Sequence, residues 1–187
     1  MVTSLPNLLT ISRILVIPTI VATFYLPGDT ARWTACLLFV AAAITDFFDG
    51  YFARRRNSVS SLGRFLDPIA DKLLVAAVLL MLTAFDRVTR LSVLPALVIL
   101  LREILVSGLR EYLAELRVGM PVSRLAKWKT GIQMTALPTL LVGTAAPHWL
   151  PAQLLGELCL WGAAALTLIT GWDYLRAGLK HMNGPSL

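Results

Sequence analysis

The chain reads as six apolar stretches separated by short polar breaks. The stretches run from Leu8 to Leu26, Trp33 to Thr45, Leu73 to Phe85, Leu91 to Leu109, Gly131 to Ala146 and Leu154 to Trp172. A helix needs about 20 apolar residues to cross a bilayer. The second stretch reaches that length if it continues through polar residues to Arg54, and the third if it begins as early as Pro68. The breaks are Pro27-Gly28-Asp29, Arg55 to Gly63, Asp86 to Arg90, Arg117 to Ser123 and Pro147 to Pro151, rich in the Gly, Pro and polar residues that end helices. With no long linker and no repeat, the pattern predicts an all-α integral membrane protein, a six-transmembrane-helix bundle forming a single domain over residues 1–187.

Composition agrees. Of 187 residues, 57% are hydrophobic and only 15% charged, with a mean hydropathy of +0.71. Soluble domains average about 45 to 50% apolar and about 25% charged. If six helices alternate, all of the 17 lysines and arginines except Arg32, Arg87 and Arg90 fall at one side. That bias places both termini at the cytoplasmic face of a plasma membrane. It also accounts for the net charge of +6 without a nucleic-acid partner. Arg13 interrupts the first apolar run and no small-residue cleavage site follows, so the first helix is expected to persist in the mature protein. Cys36 and Cys159 fall inside apolar spans and read as packing residues, while His148 and His181 have no partners placed for metal binding. Trp33, Trp128, Trp149 and Trp172 lie near predicted helix ends and suit an interfacial belt.

Against this apolar background stand four aspartates in the pattern D-x2-D-G-x2-A-R-x8-G-x3-D-x3-D: Asp46, Asp49, Gly50, Ala53, Arg54, Gly63, Asp67 and Asp71. Each carboxylate at membrane depth costs about 2.5 to 3.5 kcal/mol, so the group needs compensation, and bound cations supply it. At about 100° per residue, Asp46, Asp49, Gly50 and Ala53 share one helical stripe, and Asp67 and Asp71 share a face of the next helix. Four oxygen-bearing side chains from two helices suit two hard divalent ions about 3.5 to 4 Å apart, the clamp used in phosphoryl displacement. Gly50 and Ala53 leave room for a ligand, and Arg54 can fork onto a phosphate. Structural alternatives exist for single residues: Asp67-Pro68 as an N-cap with proline at N1, Gly50 and Ala53 as a packing groove, Arg54 to Arg56 as positive-inside charge. None accounts for the whole spacing. Upstream, Asn7, Thr10 and Arg13 recur every three residues, either lining a pocket or serving as a cap and an interfacial arginine.

The full array resembles the signature of the CDP-alcohol phosphotransferase family, with every fixed position present. The resemblance implies a six-helix membrane bundle of the CDP-alcohol phosphotransferase type, usually a homodimer, open to the cytoplasm, in which an alcohol displaces CMP from a CDP-linked lipid. It implies Asp46, Asp49, Asp67 and Asp71 as ligands of two divalent cations, Mg²⁺ or Mn²⁺, with Asp71 also the general base. It places Gly50, Arg54 and Ser60 against the CDP portion with Gly63 as a tight-turn glycine beside them; Ala53, Asn7 and Thr10 complete the expected CDP-lipid site. Direct in-line attack without a covalent intermediate is the expected course.

The second half bears on the acceptor. Glu103, Ser107 and Arg110 lie within about 60° of one another on the fourth helix, with Arg102 and Glu111 nearby and Lys127 and Lys129 at the same membrane face. Arg102, Arg110 and Lys127 are the expected holders of an acceptor phosphate; helix-end ion pairs are the plain alternative. Within the family, the segments Pro6 to Pro18, Ala43 to Lys72, Arg102 to Glu115 and Lys127 to Met134 are most similar to bacterial members. This closer resemblance implies CDP-diacylglycerol and sn-glycerol 3-phosphate as substrates in a prokaryotic inner membrane. An inositol phosphate acceptor is the nearest rival, and a cation transporter the reading from a different class, although no inverted repeat supports it.

Overall fold

The computed structural model describes residues 5–56, 61–115 and 124–182. Among these described residues six long helices follow one another: α1 (Leu5–Thr23), α2 (Asp29–Arg56), α3 (Ser61–Ala84), α4 (Val93–Glu115), α5 (Arg124–Val142) and α6 (Ala152–Met182). Single 3₁₀ turns at Arg90–Ser92 and Gly143–Ala145 lead into α4 and out of α5. No strand occurs among the described residues.

The helix ends have local causes. After α1, three successive i→i−3 bonds tighten Phe24, Tyr25 and Leu26 onto the last turn, and Gly28 turns the chain at a φ of +91°. The end of α3 is a Schellman motif: Arg87 N–H donates to Leu82 O at 2.9 Å and Asp86 N–H to Thr83 O at 3.2 Å. Asp86 takes the left-handed position (φ +50°) that glycine most often fills. Prolines 18, 68 and 138 lie inside α1, α3 and α5, as neighbouring helices in a bundle permit.

Several helices run past their apolar stretches. α3 begins at Ser61 and passes through Asp67 and Pro68, so Asp67 is an interior helical residue and the N-cap reading of Asp67-Pro68 does not hold. α2 opens at Asp29, where an acidic residue complements the helix dipole. α5 starts at Arg124, about two turns before Gly131. In each case charged residues interrupt the added turns and lower their hydropathy.

Packing divides the helices into α1 with α2 and α3, and α6 with α4 and α5, joined where α2 meets α5. One apolar core runs through both groups, including Ile20, Phe39, Leu74, Leu82, Ile99, Leu137, Leu140 and Leu160. Gly156 permits the close α5–α6 approach: a Cβ there would lie 2.7 Å from Leu140 Cγ and 3.2 Å from its backbone nitrogen. The outer surface carries many exposed leucines and isoleucines, among them Leu37, Ile44, Leu80, Leu101, Ile104 and Leu158. An apolar surface this extensive is a lipid-facing one. Among the described residues, two segments, Arg90–Ala114 and Ala152–Arg176, are long and apolar enough to cross a membrane, and Leu9–Thr23 is a shorter apolar helix. α3 and α5 carry their charges toward their N-terminal ends, and α2 carries charges toward both ends.

Candidate active site

The polar ends of α1, α2 and α3 meet at a buried arginine. Arg13, only 1% exposed, donates from the same Nη1 to Asp46 Oδ1 at 2.6 Å and to Asp71 Oδ1 at 2.8 Å. One turn back on α1, the buried Thr10 hydroxyl donates to Asp67 Oδ1. Thr10 and Arg13 therefore turn toward the aspartates rather than toward lipid. Asp46 and Asp71 keep side-chain exposures of 41% and 46%, so each has a buried edge toward Arg13 and an open edge. Ser60 lies outside the described residues, as do the side chains of Asn7, Asp49, Ala53 and Arg54 and the surroundings of Gly50 and Gly63.

The open edges of Asp67 and Asp71 border a cavity of about 620 Å³, closed on its far side by Lys72, Glu103, Arg110, Lys129, Thr130 and Gln133. Ion pairs and hydrogen bonds set this wall. Lys129, buried on α5, bonds Glu103 of α4, and Lys72 donates to Ser107 Oγ. The sides of α4 bearing Glu103, Ser107 and Arg110 and of α5 bearing Lys129 and Gln133 are thus turned toward the aspartates. Gln133 is 3% exposed and its Oε1 has no hydrogen-bond partner. A buried acceptor left unmade costs about 1 to 3 kcal/mol, so this atom is suited to a ligand donor.

Of the expected acceptor-phosphate residues, Arg110 lines this cavity, whereas Arg102 and Lys127 do not. Arg102 turns to α6: Nη2 donates to Thr170 Oγ1 at 3.1 Å, the guanidinium stands 5.6 Å from the Tyr174 ring centre, and its stem packs on Gly171. Its Nη1 also reaches Glu103 at 3.2 Å, so it touches the cavity wall from behind. Lys127 lines a separate groove with Trp128, Gly131, Ile132, Thr135 and Cys159. Lys72, Thr130 and Gln133 were not singled out as site residues from sequence. A signal existed for Gln133: it sits one turn after Lys129, a polar residue on an otherwise apolar helix face.

Residues 3–169 match the CDP-alcohol phosphatidyltransferase family, and the chain belongs to it. Among curated relatives, the chain is 52% identical over 178 residues to the CDP-diacylglycerol–glycerol-3-phosphate 3-phosphatidyltransferase of Rickettsia felis (strain ATCC VR-1525 / URRWXCal2), covering 95% of this chain and 97% of the relative. Proteins of the same name from Pseudomonas fluorescens and Cereibacter sphaeroides (strain ATCC 17023) are 44% and 39% identical, each covering 96% of this chain and 92% and 97% of the relative.

The family is generally dependent on a divalent cation. Among the described residues no three His, Cys, Asp or Glu side chains stand ready as a metal-ligand group. Asp46 and Asp71 nevertheless converge on one positively charged nitrogen, with Asp67 a turn of helix away from Asp71. Hard carboxylate oxygens gathered in one place, with Asp67 and Asp71 bordering a polar cavity, are the donors a divalent ion takes.

Proposed function

We propose that this chain transfers the phosphatidyl group of CDP-diacylglycerol to sn-glycerol 3-phosphate, giving phosphatidylglycerophosphate and CMP. The observation that carries this reading is the pairing of two half-sites: aspartates of α2 and α3 gathered at α1, and beside them a cavity lined by Lys72, Arg110 and Lys129. An acceptor that already bears a phosphate matches such a wall through charge-assisted bonds.

In this reading Asp46, Asp49, Asp67 and Asp71 hold two Mg²⁺ or Mn²⁺ ions, and Asn7, Thr10, Gly50, Ala53, Arg54, Ser60 and Gly63 receive the CDP-lipid. Bound divalent cations would supply Lewis-acid stabilisation of the phosphate charge. Asp71, with its open edge on the cavity, takes the proton of the acceptor's primary hydroxyl. That oxygen forms a bond to the lipid-side phosphorus in line with the departing group, and CMP leaves with the electrons of the broken P–O bond. Arg13 fixes Asp71 from behind, so the carboxylate meets the hydroxyl in one orientation.

The six helices cross the membrane in alternation, short connections joining them at opposite ends. At about 1.5 Å per residue, even the 19-residue α1 and α5 approach the thickness of a hydrocarbon core. The aspartates lie at the end with most of the basic residues, and that bias supports a cytoplasmic position for them and for both termini in a bacterial inner membrane. The family resemblance implies a homodimer.

The test is CMP release by detergent-purified protein with CDP-diacylglycerol and Mg²⁺ or Mn²⁺, offering glycerol 3-phosphate, inositol phosphate, inositol and serine separately. Release dependent on glycerol 3-phosphate is the expected result. Release with inositol phosphate instead would keep the displacement chemistry and replace the acceptor.

Two substitutions sharpen the acceptor assignment. Arg110→Ala is expected to raise the KM for glycerol 3-phosphate by about tenfold, the worth of one charge-assisted bond, with little change in that for CDP-diacylglycerol. Equal rises in both would move Arg110 out of the acceptor site. Gln133 lines the same cavity, and a turn of its amide would bring the enclosed, unpartnered Oε1 to accept from the acceptor's secondary hydroxyl. The wild type should therefore prefer glycerol 3-phosphate over 1,3-propanediol phosphate, which lacks that hydroxyl, by about 10- to 100-fold in kcat/KM. Gln133→Leu should narrow the preference by lowering use of the natural acceptor, and an unchanged ratio would refute the contact.

A further inference from the structure

The cavity wall opposite the aspartates sets a carboxylate among its cations. Glu103 of α4 lines it together with Lys72, Arg110 and Lys129. An anionic acceptor meets two obstacles in that carboxylate. It repels the phosphate, and its Oε1 accepts from the Nζ of Lys129, which is buried where Lys72 and Arg110 are not.

Arg102 acts on the same carboxylate from outside the cavity. Consecutive residues of a helix point about 100° apart, so Arg102 turns to α6 while its neighbour Glu103 turns to the cavity. Arg102 Nη1 still reaches Glu103 Oε1 at 3.2 Å, the oxygen that also accepts from Lys129. Contacts with α6 hold the guanidinium in place. Its Nη2 donates to Thr170 Oγ1 at 3.1 Å, the Tyr174 ring centre lies 5.6 Å from its carbon, and the stem crosses Gly171, where a Cβ would lie 3.1 Å from Arg102 Cγ. The side chains of Arg102 and Lys129 are 11% and 6% exposed, so salt and water screen these charges little.

A carboxylate oxygen shared by two cations holds each less tightly than it would hold one alone. With Arg102 in place the trio keeps a net positive charge, and Lys129 has N–H donors to offer a phosphate. Without it, Glu103 and Lys129 close into a neutral pair. We propose that Arg102 is a positioning residue for the acceptor: anchored on α6, it shares the Glu103 carboxylate and so keeps Lys129 available to the acceptor's phosphate. This rests on a phosphorylated acceptor occupying the cavity. It gives α6, which lines no part of that cavity among the described residues, a part in acceptor binding.

The test is a double-mutant cycle on the full-length, detergent-purified protein. The KM values for glycerol 3-phosphate and for CDP-diacylglycerol are measured from CMP release in wild type, Arg102→Gln, Glu103→Gln and the double variant. Arg102→Gln is expected to raise the KM for glycerol 3-phosphate about tenfold, the worth of one charge-assisted bond, with little change in kcat or in the KM for CDP-diacylglycerol. In Glu103→Gln the competing carboxylate is gone, so adding Arg102→Gln should change the acceptor KM by no more than about twofold. The same rise in both backgrounds would overturn the proposal, because Arg102 would then act on the phosphate directly. Equal rises in both KM values would overturn it as well, because Arg102 would then only hold α4 to α6. Arg102→Lys keeps the charge beside Glu103 and should fall between wild type and Arg102→Gln, with the same dependence on Glu103; it decides if Arg102→Gln fails to fold. If wild type uses inositol phosphate and not glycerol 3-phosphate, the same expectations apply to that acceptor's KM. A wild type that releases CMP with neither phosphorylated acceptor would refute the acceptor reading and this proposal with it, whereas a failure confined to the variants removes the role of Arg102 alone.

Discussion

Asp71→Asn should reduce CMP release by about 10³-fold, the scale of a lost general base, without unfolding the protein. Asparagine has nearly the same shape, and its oxygen can still accept from Arg13 Nη1 as the carboxylate does at 2.8 Å. Arg13 also keeps its 2.6 Å bond to Asp46, so its buried charge stays compensated. What the amide cannot do is take a proton from an attacking hydroxyl. Because Asp71 is also expected to be a metal ligand, activity at one metal concentration does not separate the two roles. A full Mg²⁺ titration does. If Asp71 is chiefly the base, kcat stays low at saturating Mg²⁺ while the metal requirement moves little. If it is chiefly a ligand, raising Mg²⁺ recovers most of the activity, and the base must be sought elsewhere on the cavity wall. Asp46→Asn is the reference for the second behaviour, since Asp46 does not line the cavity.

The array itself was legible because its information is local. Residues at i, i+3, i+4 and i+7 share a helix face whatever surrounds them, so the convergence of Asp67 with Asp71 followed from spacing. The six helices followed from hydropathy for a similar reason. Their ends did not: Gly63, Arg64 and Asp67 interrupt the apolar residues between Ser61 and Pro68, so hydropathy gives no reason to extend α3 across them, whereas helical backbone bonding does.

Side chains from separate helices were harder to assign, because the rotation of each helix about its axis is fixed by packing. Arg102 and Arg110 are both basic residues of α4, yet Gly171 of α6 opens a slot that receives the Arg102 stem while Arg110 remains on the aspartate side. Lys127 and Lys129 are two residues apart and so face about 160° away from one another; only Lys129 lies toward Glu103 and the cavity. Gly171 and the Lys129–Glu103 pair are the observations that decide these orientations. Neither is visible as a spacing rule.

Arg13 shows what the polar stripe on α1 contributes, and it carries the second large effect. Arg13→Leu removes the positive charge shared by Asp46 and Asp71 and leaves two carboxylates facing each other across a buried leucine. Breaking a buried ion pair from one side costs about 3 to 5 kcal/mol. Here the carboxylates retain open edges of 41% and 46%, so they can partly rehydrate, which places the loss near the lower bound. A loss of about 3 kcal/mol lowers the melting temperature of a chain of this size by about 6 to 12 °C. Measured in chelator, Arg13→Leu should melt that far below wild type; Arg13→Lys should fall between them, since an ammonium keeps the charge but not the reach and planar shape of the guanidinium. Divalent cation should then restore more stability to Arg13→Leu than it adds to wild type, because a cation among the aspartates compensates the charges the guanidinium no longer meets. An equal Mg²⁺ effect on both would mean that the metal does not share carboxylates with Arg13, and would move the proposed ions away from Asp46 and Asp71. This readout is independent of turnover, so it tests the assignment of the metal even in a variant that releases no CMP.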